Sequence, residues 1–349
     1  MRSPLVVLAG LAGTMFSRPS QPHSGSKAQP LPTPRPRMRD WRTSTELPDD
    51  EAIPAFRAIK TTGVREALQF LNLDAGALEV TLRGYAPGKR ATLEVRSGGY
   101  RIAVKAYNEP PDDEAQLYTA LAGGSGGVRV PRLIGYDRAL SVLALEWLEG
   151  ATLQALIKQG QGRRAGELAA MWPRLVAALD VRFGTHHGVN ELTAKTHKYA
   201  DRMGAADASL GTTASGIVRR LESTQPAEGP TRLVHGSLYD RHMLDMGTGP
   251  GLIDWDCFGQ GAAELDAAVF LSVIWRSGLR HERRDSSRQA AVAFHECTAG
   301  LLDEDALAWH RAATMLRLAH KKVRQRDDDA LVSARSLVEE AARLAAAAG

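Results

Sequence analysis

The periodicity of the chain changes near residue 150, and that change restricts the fold more than any other feature. Between Leu78 and Tyr107 lie three short runs, LEVTLRGY, ATLEVR and YRIAVKAY, separated by turns at Ala86-Pro87-Gly88-Lys89 and Ser97-Gly98-Gly99. Alternating apolar residues bounded by tight turns read as adjacent antiparallel strands. After Pro110-Pro111-Asp112-Asp113 comes the helical run DEAQLYTALA. Its start carries Pro and acids, which a helix N-terminus favours because the missing N–H costs nothing there and the dipole attracts negative charge. A Gly-rich loop over 123–127 then leads to two further strands, near 132–137 and 141–147. From Ala151 onward, helical periodicity dominates, at about 151–158, 164–185, 192–207, 214–223, 263–276, 286–302, 305–325 and 328–347. One short β-like island interrupts it at 232–256. The expectation is an α+β chain with two lobes, the first small and β-rich, the second larger and mainly helical. Residues 62–72 also show helical spacing and belong to an N-terminal helical extension over 38–77; the lobes then span 78–148 and 149–349.

Charge narrows the function once it is divided along the chain. Lys and Arg number 44 against 40 Asp and Glu, a net of +4. Residues 1–37 hold five of the basic residues and no acid, so the remainder carries 39 basic against 40 acidic side chains. The basic excess belongs to the N-terminal tail, and the folded part gains no support for nucleic-acid binding. The tail itself is rich in Pro and Ser over 17–37 and has too little apolar surface to offset its chain entropy. The apolar run after Arg2 resembles a weak secretory signal with a poor cleavage end. The simpler reading is a disordered tail, or an artefact of start-site choice with translation beginning at Met38. Two cysteines, Cys257 and Cys297, do not make a disulfide framework and favour a reducing, cytoplasmic setting. No apolar run is long enough for a membrane span.

The segment most informative about chemistry runs from Leu233 to Ala268. A strand-like Arg232-Leu233-Val234 enters His235-Gly236; Met243-Leu244 follows the loop; and after a Gly-rich turn comes Leu252-Ile253-Asp254-Trp255. A carboxylate at the end of a buried hairpin strand is costly unless it meets a cation, so Asp254 is a metal-ligand candidate.

These residues resemble the aminoglycoside phosphotransferase and choline kinase group, small-molecule kinases with a protein-kinase-like fold. The usual catalytic stretch of that group is H-G-D-x-x-x-x-N, then I-D-W or I-D-F, then G-x-x-x-x-D. This chain has His235-Gly236-Ser237, His242 at the Asn position, Ile253-Asp254-Trp255 in register, and Gly261 followed by Asp266. Ala103-Val104-Lys105 lies on the third strand and Glu114 on the next helix, as the phosphate-binding lysine and its partner would. Leu145-Glu146-Trp147-Leu148-Glu149-Gly150 is similar to the hinge that holds adenine. The resemblance covers about residues 78–270 and implies ATP or another nucleoside triphosphate, Mg²⁺ and a small hydroxyl acceptor. It places Lys105 on the α- and β-phosphates, with Glu114 holding it. Asp254 would hold the metal, with His242 at the second ligand position. Gly88 and Lys89 would cover the phosphates, and Glu146 and Leu148 would lie at the adenine. His235 would support the loop.

The departures bear on activity. Ser237 stands where the catalytic carboxylate belongs, and a serine does not accept a proton as a carboxylate does. Imidazole at 242 is a poor magnesium ligand and suits softer metals. Asp240, three residues past Ser237, is the replacement candidate for the base. Two readings follow: a divergent phosphotransferase, or a degenerate member that binds nucleotide or a metabolite as a regulatory or scaffold protein. Singly, each residue has an ordinary explanation: a solvated strand lysine, an acid at a helix start, a turn-capping aspartate, a core histidine. Their joint order carries the resemblance. Residues 276–326 hold eleven basic and six acidic side chains, which argues against a polycationic acceptor.

Overall fold

A computed structural model describes residues 47–122, 127–325 and 328–348. The tail over 1–37, the start alternative at Met38 and most of the Gly-rich loop, 123–126, lie outside the described residues.

Strands β1 (Leu78–Ala86), β2 (Arg90–Ser97), β3 (Tyr100–Tyr107), β4 (Leu133–Asp137) and β5 (Val142–Glu146) form one antiparallel sheet in the order β1-β2-β3-β5-β4. Side chains alternate across a strand, so parity sorts β3 into two faces. Ile102, Val104 and Ala106 pack with Leu93 and Val95 of β2 and with Ile53 and Phe56 in an outer core. Ala103 and Tyr107 face the opposite, larger core, and Lys105 shares their parity. Helices α1 (Pro54–Thr62) and α2 (Val64–Ala67), with a 3₁₀ turn at Gln69–Leu71, cover the outer face. The helix expected over 62–72 is broken because Gly63 sits at φ 83°, outside helical space. Helix α3 (Asp112–Leu121) packs against the inner face through Leu117, Tyr118 and Leu121.

The larger lobe begins with β6 (Ala151–Thr152), α4 (Leu153–Lys158) and α5 (Gly162–Leu175). It continues through β7 (Thr185–His187), α6 (Val189–Gly204) and α7 (Ala208–Ser223). Then come β8 (Arg232–Val234), β9 (Met243–Asp245), β10 (Pro250–Leu252) and β11 (Gly259–Gly261). The chain closes with α8 (Ala263–Gly278), α9 (Arg284–Thr298), α10 (Glu304–Val323) and α11 (Asp328–Ala347).

Helix α5 stops ten residues short of the expected 185. Pro173 within it donates no backbone hydrogen bond, the last turn tightens to 3₁₀ at 176–178, and Leu179 is extended. The chain freed this way pairs β7 in parallel with β11, which pairs antiparallel with β8. A second small sheet joins β10, β9 and β6. These ladders carry the loop between β8 and β9 and the turn after β10. One core lies between the inner face of the large sheet, α3, α5, α8 and this β-island; another joins α6, α7, α10 and α11. Cys257 and Cys297 are free thiols. Among the described residues no helix is long and apolar enough to cross a membrane.

Candidate active site

A cleft of about 600 Å³ opens between the inner face of the large sheet and the β-island. Lys105 enters it because odd positions of β3 point that way. Its Nζ donates to Glu114 Oε1 at 2.6 Å and stands 3.1 Å from Asp254 Oδ1. The Tyr107 hydroxyl donates to the other Glu114 oxygen. Lys105 and Glu114 are both buried. Burial opposes the charge on Lys105, but Glu114, Tyr107 and Asp254 outweigh it and raise the pKa well above the usual lysine value.

Asp254 reaches the cleft from the turn after β10, with φ at 69°. Aspartate tolerates this left-handed region better than most side chains. The turn is anchored on both sides. Ile253 N–H donates to the His242 carbonyl at 3.0 Å, and the fully buried Trp255 donates from Nε1 to the Leu252 carbonyl at 3.3 Å. Burial raises the Asp254 pKa, yet the cations around it, Lys105 first and Arg90 as well, hold it far below the usual carboxylate range.

His242 has its tautomer set by its neighbours. Nδ1 lies 2.9 Å from the Ser237 carbonyl, which only accepts, so Nδ1 carries the proton. Burial lowers the pKa of this imidazole to about 3, so it is neutral at neutral pH. Its Nε2 lone pair then faces Asp254 Oδ2 at 3.3 Å. Two acceptors at that distance repel unless a cation joins them, so Asp254 and His242 fit a divalent ion. Among the described residues no cluster of three or more His, Cys, Asp or Glu side chains is arranged to hold a metal. An ion at this position would draw its remaining ligands from water or phosphate.

The loop between β8 and β9 is fixed from beneath by Asp266 of α8. Its Oδ2 accepts from Trp172 Nε1 at 2.8 Å and His235 N at 2.7 Å, and its Oδ1 accepts from Gly236 N at 2.9 Å. Gly236 has φ 69°, and a Cβ there would collide with the Cys257 carbonyl, so only glycine fits. His235, fully buried, donates from Nε2 to the Ile253 carbonyl at 3.0 Å. Its Nδ1 therefore accepts from the Ser237 hydroxyl at 3.3 Å. Burial pushes the His235 pKa down, and the ring acts as a neutral strut between the loop and the Asp254 turn.

The fold thus brings Lys105, Glu114, Asp254 and His242 into one chain of contacts, with Ser237 and His235 directly behind. Glu146 and Leu148 line the same cleft. Gly88 and Lys89 are not part of that lining. Gly88 N–H is spent on Asp50 Oδ2 at 2.7 Å, so the β1–β2 turn is tied to the segment before α1. Asp240 is also outside the cleft lining. It is buried, with Oδ1 lacking a hydrogen-bond partner among the described residues, and burial raises its pKa against the pull of Arg276 and Arg241. Asp240, the replacement candidate for the base, is thus set apart from the Lys105 cleft by the lining and stays a candidate only for a group approaching from its own side of the loop.

Of the turn Pro87-Gly88-Lys89-Arg90, which the resemblance puts over the phosphates, it is Arg90 that lines the cleft; it pairs with Asp256 and lies 3.8 Å from Asp254. Sequence reasoning missed another cleft residue. Arg101 stacks 4.1 Å from the Trp147 ring centroid and donates from Nε to Glu94 at 2.7 Å. The signal was available, because Arg101 and Tyr107 share the parity of Lys105 on β3.

The family model described as the phosphotransferase enzyme family matches residues 94–302, the stretch that carries these side chains. The chain belongs to that family. No curated protein matches it in sequence. Among solved structures it is similar to a thermostable mutant of aminoglycoside phosphotransferase APH(4)-Ia in ternary complex with ADP and hygromycin B. The TM-score is 0.61 at 14% identity, over 81% of this chain and 99% of that one. It is also similar to a choline/ethanolamine kinase family protein from Mesorhizobium loti, with TM-score 0.53 at 15% identity, over 84% of this chain and 94% of that one. A third similar structure is an aminoglycoside-3'-phosphotransferase of type VIII, with TM-score 0.52 at 21% identity, over 75% and 99% of the two chains. At these identities the likeness is one of fold: the two lobes are those expected from the periodicity, and the kinase-like arrangement is the one the resemblance implies.

Proposed function

We propose that this phosphotransferase transfers the γ-phosphoryl group of ATP, with Mg²⁺, to a hydroxyl of a small molecule. The observation that carries the reading is the convergence of Lys105, Glu114 and Asp254 from three separate elements within 3.1 Å of one ammonium. The nucleotide would lie between residues 78–148 and 149–349, its adenine against Glu146 and Leu148. Lys105 neutralises phosphate oxygens, and Glu114 holds it in place. Through its oxygens Asp254 would hold the ion, which when bound offsets the charge of the phosphates; His242 would join as a ligand more readily for a softer divalent ion than for Mg²⁺. The acceptor oxygen forms a bond to the γ-phosphorus while the bond to the bridging oxygen breaks and leaves its electron pair on ADP. The hydroxyl proton is released to solvent. With Ser237 in the loop, positioning and charge carry the step, at a cost of about 10²–10⁴-fold for the missing base.

A second reading, nucleotide binding without transfer, is favoured by one observation: the loop carboxylate Asp240 is buried and is not among the residues that line the Lys105 cleft. Calorimetric titration of ATP with and without Mg²⁺, on the wild type and Asp254→Ala, tests the site. Magnesium-dependent binding abolished in the variant is expected; no binding by the folded wild type would refute the proposal. Consumption of ATP in the presence of hydroxyl compounds separates the two readings.

A further inference from the structure

A second cavity, of about 180 Å³, adjoins the loop that carries His235 and Ser237. It lies between α6, α10 and Gly236. Its charged lining residues are Lys195 and Arg317, and no Asp or Glu is among the described residues that line it. Arg317 brings buried Nε and Nη2 groups that have no hydrogen-bond partner among the described residues. Its Nη1 makes one long bond, 3.4 Å, to the Gly236 carbonyl. His310, only 1% exposed, lines the same cavity, with neither ring nitrogen partnered among the described residues. Burial lowers its pKa to about 4, so at neutral pH it offers one N–H without a charge. Buried donors of this strength are rarely left unpaired, because each forfeits its hydration without return.

The surroundings add charge of the same sign. Arg317, Lys321 and Arg241 stand 5.9, 5.4 and 4.4 Å from the Tyr239 ring centroid, and Lys321 Nζ donates to the Tyr239 hydroxyl at 2.9 Å. That ring in turn lies 5.2 Å from the ring of His242, which touches Asp254. The carboxylate of Asp240 is set beside Arg276 and Arg241. Positive side chains therefore adjoin the loop from both cavities: Arg317 lines the second cavity with Gly236, and Arg241 lines the Lys105 cleft beside His242.

We infer that the acceptor is an anion: a small hydroxyl compound bearing a carboxylate or phosphate, which Arg317, Lys195 and His310 would bind. This rests on the phosphotransferase reading of the cleft and names its substrate class. A polycationic acceptor would meet like charge at Arg317 and Lys195.

The test is calorimetry on the full chain, with and without saturating AMP-PNP and Mg²⁺, using inorganic phosphate, gluconate, glucose and glucosamine as probes. Phosphate and gluconate should bind with AMP-PNP present, and glucose and glucosamine at least about ten-fold more weakly. Arg317→Gln and Lys195→Gln should each weaken gluconate about ten-fold, while Arg317→Lys, which keeps the charge and controls for folding, should retain most of the affinity. Any of four results would overturn the inference. Glucosamine could bind as tightly as gluconate. Gluconate binding could ignore Arg317→Gln. Phosphate could bind without gluconate, marking a site for a free oxyanion. Neither anion could bind. Loss of AMP-PNP binding with Arg317-dependent gluconate binding intact would instead count against the nucleotide reading alone.

Discussion

The two walls beside the catalytic loop handle charge in opposite ways. On the sheet side, charges are matched. Lys105 meets Glu114 and Asp254, while Glu94 is held by Arg83, Arg96 and Arg101. On the helical side Arg276, Arg317 and Lys321 have no carboxylate within salt-bridge distance among the described residues. Matched buried charges hold one another in place before any ligand arrives, which suits a site that must orient phosphates. Unmatched ones lose hydration without compensation and gain it back only from an external anion. The first wall is organised for rigidity, the second for an incoming group.

This contrast breaks most visibly at Glu114. Glu114→Ala strips Lys105 and the Tyr107 hydroxyl of their partner in a buried site and should cost about 3–5 kcal/mol, read from urea denaturation midpoints. An unchanged midpoint would show the matched wall to be solvated. Asp266→Ala should cost a comparable amount. It leaves the buried N–H groups of His235 and Gly236 and the Trp172 indole unsatisfied, at about 1–3 kcal/mol for each group that finds no water. It should also reduce ATP affinity by loosening the loop.

Acid titration separates the walls by pH. Burial alone would raise the Glu94 pKa, but hydrogen bonds from Arg101, Arg96 and Arg83 bring it down to about 2. A carboxylate depressed on folding stabilises the native state above its unfolded pKa, near 4.5, and that contribution is lost as pH falls from there toward about 2. His310, on the helical side, has its pKa lowered to about 4 by burial. The unfolded chain takes up that proton first, so stability falls as pH drops from the ordinary histidine value, near 6.5, toward about 4. Glu94→Gln should flatten the lower window and His310→Leu the upper one, in thermal melts across pH; identical profiles for wild type and variants would remove both assignments. The smallest effect is expected at Arg317. In the absence of an anion, Arg317→Gln should leave the denaturation midpoint unchanged or slightly raised, because it relieves an unpaired charge. A large loss would mean that Arg317 has a structural partner.

How much was legible in advance varied with the range of the interaction. The three strands over 78–107, helix α3 and the late helices could be read from local periodicity and turn residues, and their limits agree with the fold to within a few residues. The expected helices over 164–185 and 62–72 were not: Pro173 and Gly63 end them, and the freed segment after α5 becomes a strand only because β11 lies beside it. The pairing of Lys105 with Glu114 across nine residues was legible as a motif. The diversion of Gly88 N–H to Asp50, 38 residues earlier, was not.

Sequence alone determined which residue types the site contains, because the order strand lysine, helix glutamate, His-Gly loop and Ile-Asp-Trp turn is written locally. It also determined the excess of basic residues between 276 and 326. Only the tertiary structure decided which of those groups meet. It placed Asp240 outside the cleft, set the tautomers of His235 and His242 through the carbonyls of Ile253 and Ser237, and left Arg317 and His310 lining one cavity. The physical reason is distance in sequence. Propensity and periodicity act over a few residues, whereas desolvation, hydrogen-bond partnership and charge depend on neighbours delivered by elements a hundred residues apart.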